Sequence, residues 1–435
     1  MLVVKSARRP GRKKAHPRIA LAVAGGGPIG GIYEIGAVRA LDEAIDGLDM
    51  NALDVYVGIS SGAFVAASLA NRLSTAELCR IFITGDSDQF RFQPEDFVRP
   101  AIYEYLRRLA GVPRMLFAGL AEFARHPLSL RISDSILHMG SILPTGLFDN
   151  EAIEKFLRNA FTAHGRSNDF RKLERKLVIV AVELDSGQAV RFGTEGNDAV
   201  PISRAIEASA ALPGLYPPVR IGGKYFVDGA LRHTVHASVA LDAGADLVLA
   251  INPLVPIDTT TANALGKSSP TSLIEGGLPT VLSQMFRTLL QSRMQASMPK
   301  YERKYPGSDL ILLEPESDDT DMFFTNVFSF AHRKRLAEHA YQATMSDLRR
   351  HRRALAHLLG RHGLVLRDDV LDDTTRTVLS GLESKPPRRS QATSKLHRTL
   401  DDLDVALERA RPGRKREKSR RRSGPEAGSA PSAHS

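Results

Sequence analysis

Apolar residues along this chain fall into short unbroken runs that alternate with stretches of helical spacing. Residues 19–24 form such a run, Ile-Ala-Leu-Ala-Val-Ala, and read as a buried strand; residues 30–45 place Ile35, Val38 and Leu41 at helical intervals. A second short apolar strand is predicted over 55–57 and an Ala-rich helix over 63–71. Further along, 177–184 and 188–192 flank Asp185-Ser186-Gly187, the signature of a hairpin turn. Residues 235–243 predict a helix, and 247–251 and 309–313 two more buried strands. Continuous apolar strands interleaved with helices imply an α/β fold, with a mostly parallel sheet covered by helices on both faces. No internal repeat is visible.

Two stretches depart from this rhythm. Residues 99–140 carry Tyr103, Leu106, Leu109, Met115, Leu116, Leu120 and Phe123 among several arginines, which predicts an amphipathic helical insertion. The predicted helix over 280–298 has a similar stripe in Leu282, Met285, Phe286, Leu289, Leu290 and Met294. Such a stripe suits a core-facing helix, a lid resting on lipid, or the wall of an acyl pocket.

Composition adds limits. Hydrophobic residues make up 43% and charged residues 25%, ordinary values for a globular chain, and no apolar run is long enough to span a bilayer. The formal net charge of +10 is concentrated at the ends: residues 1–18 carry seven Lys/Arg and no acid, and residues 385–422 carry fourteen against five acids. With Glu426 set aside as well, residues 19–384 are left at −5, which does not suit a nucleic-acid groove. Residues 1–17 and 383–435 are therefore predicted to be basic disordered tails, fit for peripheral contact with anionic membranes, around a single folded domain over 18–382. C-terminal helices of that domain are expected over about 274–360. The apolar run at 19–24 is shorter than a signal peptide requires. Together with the single cysteine, Cys79, expected to be a buried core residue, this points to a reducing, cytoplasmic setting.

The candidate chemistry sits where the first two strands end. Strand 55–57 runs into Gly58-Ile59-Ser60-Ser61-Gly62 and then a helix, the arrangement of a nucleophile elbow with Ser60 at its apex. Side chains at positions 58 and 62 would collide with the neighbouring strand and helix, which is why glycine stands at both. Strand 19–24 runs into Gly25-Gly26-Gly27-Pro28-Ile29-Gly30-Gly31. That loop fits the G-x-G-x-x-G spacing of a dinucleotide site, but no acid closes the second strand; Asp54 opens it instead. Beside a serine, backbone N–H groups at a helix start serve equally well as an oxyanion hole, so Gly25, Gly26, Gly27 and Gly30 are its candidate members. A base for the serine is offered by Asp228 in Asp228-Gly229-Ala230, or by His233 or His236 close behind it.

The three motifs in this order resemble the patatin-like phospholipase family: a glycine-rich oxyanion loop at 25–30, G-x-S-x-G at 58–62 and D-G-A at 228–230. Segments 143–149, 208–214 and 216–218 add to the likeness, which covers roughly residues 18–255. The resemblance implies a three-layer α/β/α fold and a serine acyl hydrolase acting on lipid esters through a Ser-Asp dyad. Ser60 would then be the nucleophile and Asp228 the base, with Gly58, Gly62 and Gly229 supporting the turns and no metal or other cofactor required. The sequence departs from the family pattern at Ile29, where an Arg or Lys is usual. The alternative is a non-hydrolytic nucleotide- or lipid-binding protein that uses the same glycine loop.

Overall fold

Five strands run parallel through the middle of the sheet, in the order β10 (Asp309–Leu313), β9 (Leu247–Ile251), β2 (Ile19–Val23), β4 (Val55–Gly58), β5 (Lys176–Glu183). In this computed structural model the described residues are 2–6, 16–87, 92, 100, 145–163, 165–232, 235–267, 272–323 and 330–382. Nearly all of the amphipathic segment predicted at 99–140, and the C-terminal tail from 383, lie outside them. Antiparallel strands extend the sheet beyond β5: β6 (Ala189–Phe192) and β8 (Lys224–Asp228) pair with β5, and β7 (Val219–Ile221) pairs with β8. Parallel neighbours require crossovers, and each central strand after β2 is preceded by at least one helix, as the alternating pattern implies.

Alternate residues of each central strand go to opposite faces, and both faces are covered. On one side Leu21, Val23, Tyr56, Ile179, Leu249 and Ile251 pack in the larger core cluster. This cluster includes helix α1 (Gly27–Ala44), helix α2 (Ser61–Ala70) and the helix Phe330–Arg350. On the other side Ala20, Ala22, Val57, Val180 and Val248 pack against the helix Ala237–Asp242 and part of the helix Gly277–Lys304. Burial on both faces explains why these strands are almost wholly apolar rather than alternating.

Within the expected N-terminal tail, residues 2–5 are ordered rather than disordered. Leu2–Lys5 forms strand β1, antiparallel to β10 with Leu2 opposite Leu313, and Lys5 Nζ meets Glu302 at 2.8 Å. An apolar, β-branched Leu-Val-Val run finds pairing partners on the open edge of β10, which local composition does not reveal. Helix α1 also begins earlier than residue 30, at Gly27, with Pro28 in its first turn, where a missing N–H is harmless. Cys79 is fully buried, as expected, and burial pushes its thiol up to about 12. No helix among the described residues is long and apolar enough to cross a membrane.

Candidate active site

Strand β4 delivers Ser60 to the carboxyl edge of the parallel strands, at the start of α2. Its backbone is at φ 50° and ψ −122°, a left-handed conformation unusual for a residue with a side chain and one that only a firmly held turn sustains. The hold is visible. Ile59 N–H donates to Val23 C=O (3.2 Å) and Ala63 N–H to Ser60 C=O (3.1 Å). Ser60 N–H donates to Ser209 Oγ (2.9 Å), whose own hydroxyl donates to Val180 C=O (2.6 Å). The flanking glycines are sterically obligatory: a Cβ on Gly58 would stand 2.4 Å from Ala63 Cα, and one on Gly62 2.3 Å from Ala24 O.

The glycine loop lies directly over this turn. A Cβ on Gly25 would be 2.7 Å from Ser60 Cβ and 3.4 Å from its Oγ, so only a bare backbone fits beside the hydroxyl. Gly26 is pressed between Gly30 Cα and Pro253 Cγ, each 2.7 Å from where its Cβ would be. Among the described residues, no protein acceptor takes the backbone N–H of Gly25, Gly26 or Gly27. These donors stand at the positive end of the 18-residue helix α1, which has no acid in its first turn. Gly30 departs from the expectation. Its N–H donates to Gly26 C=O (3.0 Å), so it is not a free oxyanion donor, and its missing side chain instead gives room to Pro253.

Asp228 arrives from the antiparallel margin, at the end of β8, paired with Ala181 of β5. Its N–H donates to Ala211 C=O (3.0 Å), its carboxylate accepts from Ala230 N–H (2.8 Å), and the Ser60 side chain lies close enough to act on its charge. Loss of solvent around this buried carboxyl raises it to about 6, against the opposing pull of Ala230 N–H and of the Ser60 hydroxyl. Gly229 is fixed by crowding, since a Cβ there would stand 2.2 Å from Val180 O. Of the two histidines considered as bases, His233 lies outside the described residues. His236 is buried at the start of the helix Ala237–Asp242, and no imidazole is among the groups that perturb Asp228.

Ser60 opens onto a cleft whose walls are mostly hydrocarbon, including Ile32, Ile35, Phe64, Phe82, Ile206 and Tyr216. Among the described residues, none of the helix Gly277–Lys304 lines it. Beneath the cleft, Ser61 donates its hydroxyl to Glu34 of α1 (3.1 Å). Glu34 is wholly buried, and desolvation lifts its carboxyl well above the usual range, against the pull of the Ser61 hydrogen bond. Among the described residues no group of three or more His, Cys, Asp or Glu side chains is arranged to hold a metal ion.

Residues 21–241, just over half of the chain, match the family described as patatin-like phospholipase. The chain belongs to the patatin-like phospholipase family. It is therefore a lipid acyl hydrolase. Distant structural likeness extends to several solved proteins. VipD from Legionella pneumophila is 14% identical at a TM-score of 0.35, with 78% of this chain and 68% of that one covered. The type III effector ExoU from Pseudomonas aeruginosa is 15% identical at 0.27, with 89% and 69% covered. Human GIVD cytosolic phospholipase A2 is 14% identical at 0.30, with 78% and 60% covered.

Within this patatin-like frame, two polar residues escaped sequence reasoning. Ser209 was visible only as part of the 208–214 segment; its work, joining the elbow to β5, depends on a meeting across 149 residues. Glu34 reads in the sequence as an ordinary helix-surface acid, yet it is buried against the first turn of α2. A lone acid inside the apolar face of α1 was the available signal.

Proposed function

We propose that this protein cleaves fatty-acyl esters of phospholipids through a Ser60–Asp228 dyad and an acyl-enzyme intermediate. The observation that carries the reading is the placement of the Ser60 turn, under the bare glycine loop, beside a buried carboxylate made more basic by desolvation. Ser60 Oγ attacks the ester carbonyl carbon while its proton passes to Asp228. The negative charge that develops on the carbonyl oxygen is met by the N–H groups of Gly25, Gly26 and Gly27. Collapse breaks the bond to the alcohol, which leaves with the proton from Asp228, and the acyl group stays on Ser60. Water then attacks the acyl carbon, gives its proton to Asp228, and the fatty acid departs as that proton returns to Ser60. The apolar cleft beside Ser60 suits an acyl chain.

A nucleotide-binding reading of the same loop lacks its ribose-holding acid, because β4 ends in the Ser60 turn. The test is fatty-acid release from phosphatidylcholine vesicles. Ser60→Ala is expected to abolish release while leaving the circular dichroism spectrum and thermal midpoint close to wild type. Undiminished release by folded Ser60→Ala would overturn the proposal.

A further inference from the structure

The helix Gly277–Lys304 is treated very differently by the fold along its length. Its second half packs Leu290, Met294 and Met298 onto the sheet, whereas none of residues 277–286 is buried. In that first half and just beyond it, Leu278, Leu282, Met285 and Leu289 recur at helical spacing and are 69%, 43%, 62% and 49% exposed. Ile274, 73% exposed, precedes them. A soluble helix normally turns its apolar stripe inward; here the stripe is turned out.

This half of the helix is fastened to the catalytic edge of the sheet. Gln284 holds Ile257 at both backbone groups, its Oε1 accepting from the N–H (3.0 Å) and its Nε2 donating to the C=O (2.8 Å). Arg287 donates to Val255 C=O (3.1 Å), and its guanidinium lies 5.0 Å from the centre of the Phe323 ring. Residues 254–257 continue directly from Pro253, the side chain that presses on Gly26 and Gly30 of the oxyanion loop. The outward stripe is thus tied, through a single short segment, to the loop that faces Ser60.

Charge narrows the choice of what covers it. From residue 276 to 301 there is no acid, and the exposed cations are Arg293 and Lys300, Arg287 being turned inward, although residues 19–384 as a whole are net acidic. An acid-free apolar face with cations beyond it complements a phospholipid surface, where lipid tails accept the leucines and anionic headgroups the basic side chains.

We infer that the first half of the helix Gly277–Lys304 is a bilayer-docking surface, which seats Leu278, Leu282, Met285 and Leu289 among lipid acyl chains beside the catalytic edge. The inference rests on the lipid-hydrolase reading for its choice of partner, but binding is measurable without catalysis.

The chain contains no tryptophan, so one introduced indole reports its own surroundings. In a Ser60→Ala background, Met285→Trp is expected to shift its emission to the blue and to be quenched by brominated lipid in phosphatidylcholine–phosphatidylglycerol vesicles. Val365→Trp, at an exposed position on the strand paired with Asp46, is expected to do neither. The double substitution Leu282→Asp with Met285→Asp, in the otherwise wild-type chain, should weaken vesicle co-sedimentation at least tenfold. Hydrolysis of a water-soluble short-chain ester should be unchanged in that variant. Co-sedimentation without quenching at position 285 would overturn the inference, as would an already blue-shifted indole in vesicle-free buffer, which would mean that another segment or a second copy covers the face. Failure of the lipid-hydrolase reading has a different signature, namely docking with no fatty acid released by the wild type.

Discussion

Replacing Asp228 by Asn should make the protein more stable and nearly inactive, and the size of the first effect follows from the environment of the carboxyl. Burial raises it from 3.8 to about 6. A raised acid holds its proton more tightly in the folded than in the unfolded chain, so below about 3.8 the group has no effect on stability. As pH climbs from there to about 6, the unfolded chain releases its proton first and is favoured; above that the penalty is constant. A shift of about two units corresponds to roughly 3 kcal/mol at pH 8, and about half of that at pH 5. Asn keeps an oxygen for Ala230 N–H but carries no charge to desolvate, so Asp228→Asn should gain about that much. Urea unfolding of wild type and variant at pH 5 and pH 8 reads the difference, because the other titrating groups cancel between the two proteins. The same variant should lose about 10²–10⁴ in kcat, since Ser60 no longer has a proton acceptor. An Asp228→Asn protein no more stable than wild type at pH 8, or a stability difference independent of pH, would refute the idea of a desolvated carboxylate.

Two further outcomes follow from the same geometry. Activity on a soluble ester should rise with pH through an apparent value of about 6 and level off above it, because only ionised Asp228 accepts the Ser60 proton; a kcat/KM profile between pH 4.5 and 8.5 checks this. Ser209→Ala removes the partner of both Ser60 N–H and Val180 C=O, and should cost about 1–3 kcal/mol in urea unfolding together with a fall in kcat, whereas Ser209→Thr should retain most of both.

How much of this was legible in the sequence depended on how local each cause is. The Ser60 turn was readable because Gly58 answers to Ala63, five residues on, and Gly62 to the end of the adjacent strand β2, which the alternating pattern already places beside it. The central strands were readable because burial on both faces leaves an unbroken apolar run. Strand β1 was not, since Leu2–Lys5 pairs with an edge some 300 residues away. Ser209 and Glu34 were missed for a related reason: a serine or a glutamate has many ordinary uses, and only the tertiary meeting distinguishes these two. Spacing also could not choose between Asp228 and the nearby histidines, because five to eight residues beyond a strand end the chain can turn either way. Gly30 fits the loop pattern, yet the start of α1 at Gly27 commits its N–H to the helix.

The central claim is that the Ser60 hydroxyl is an activated nucleophile, and covalent labelling tests it most directly. A fluorophosphonate incubated with the wild-type protein, followed by proteolysis and mass spectrometry, should leave its adduct on the peptide containing Ser60. The adduct should be absent from Ser60→Ala and form far more slowly on Asp228→Asn. An adduct on a different residue, or labelling of Asp228→Asn at the wild-type rate, would contradict the account.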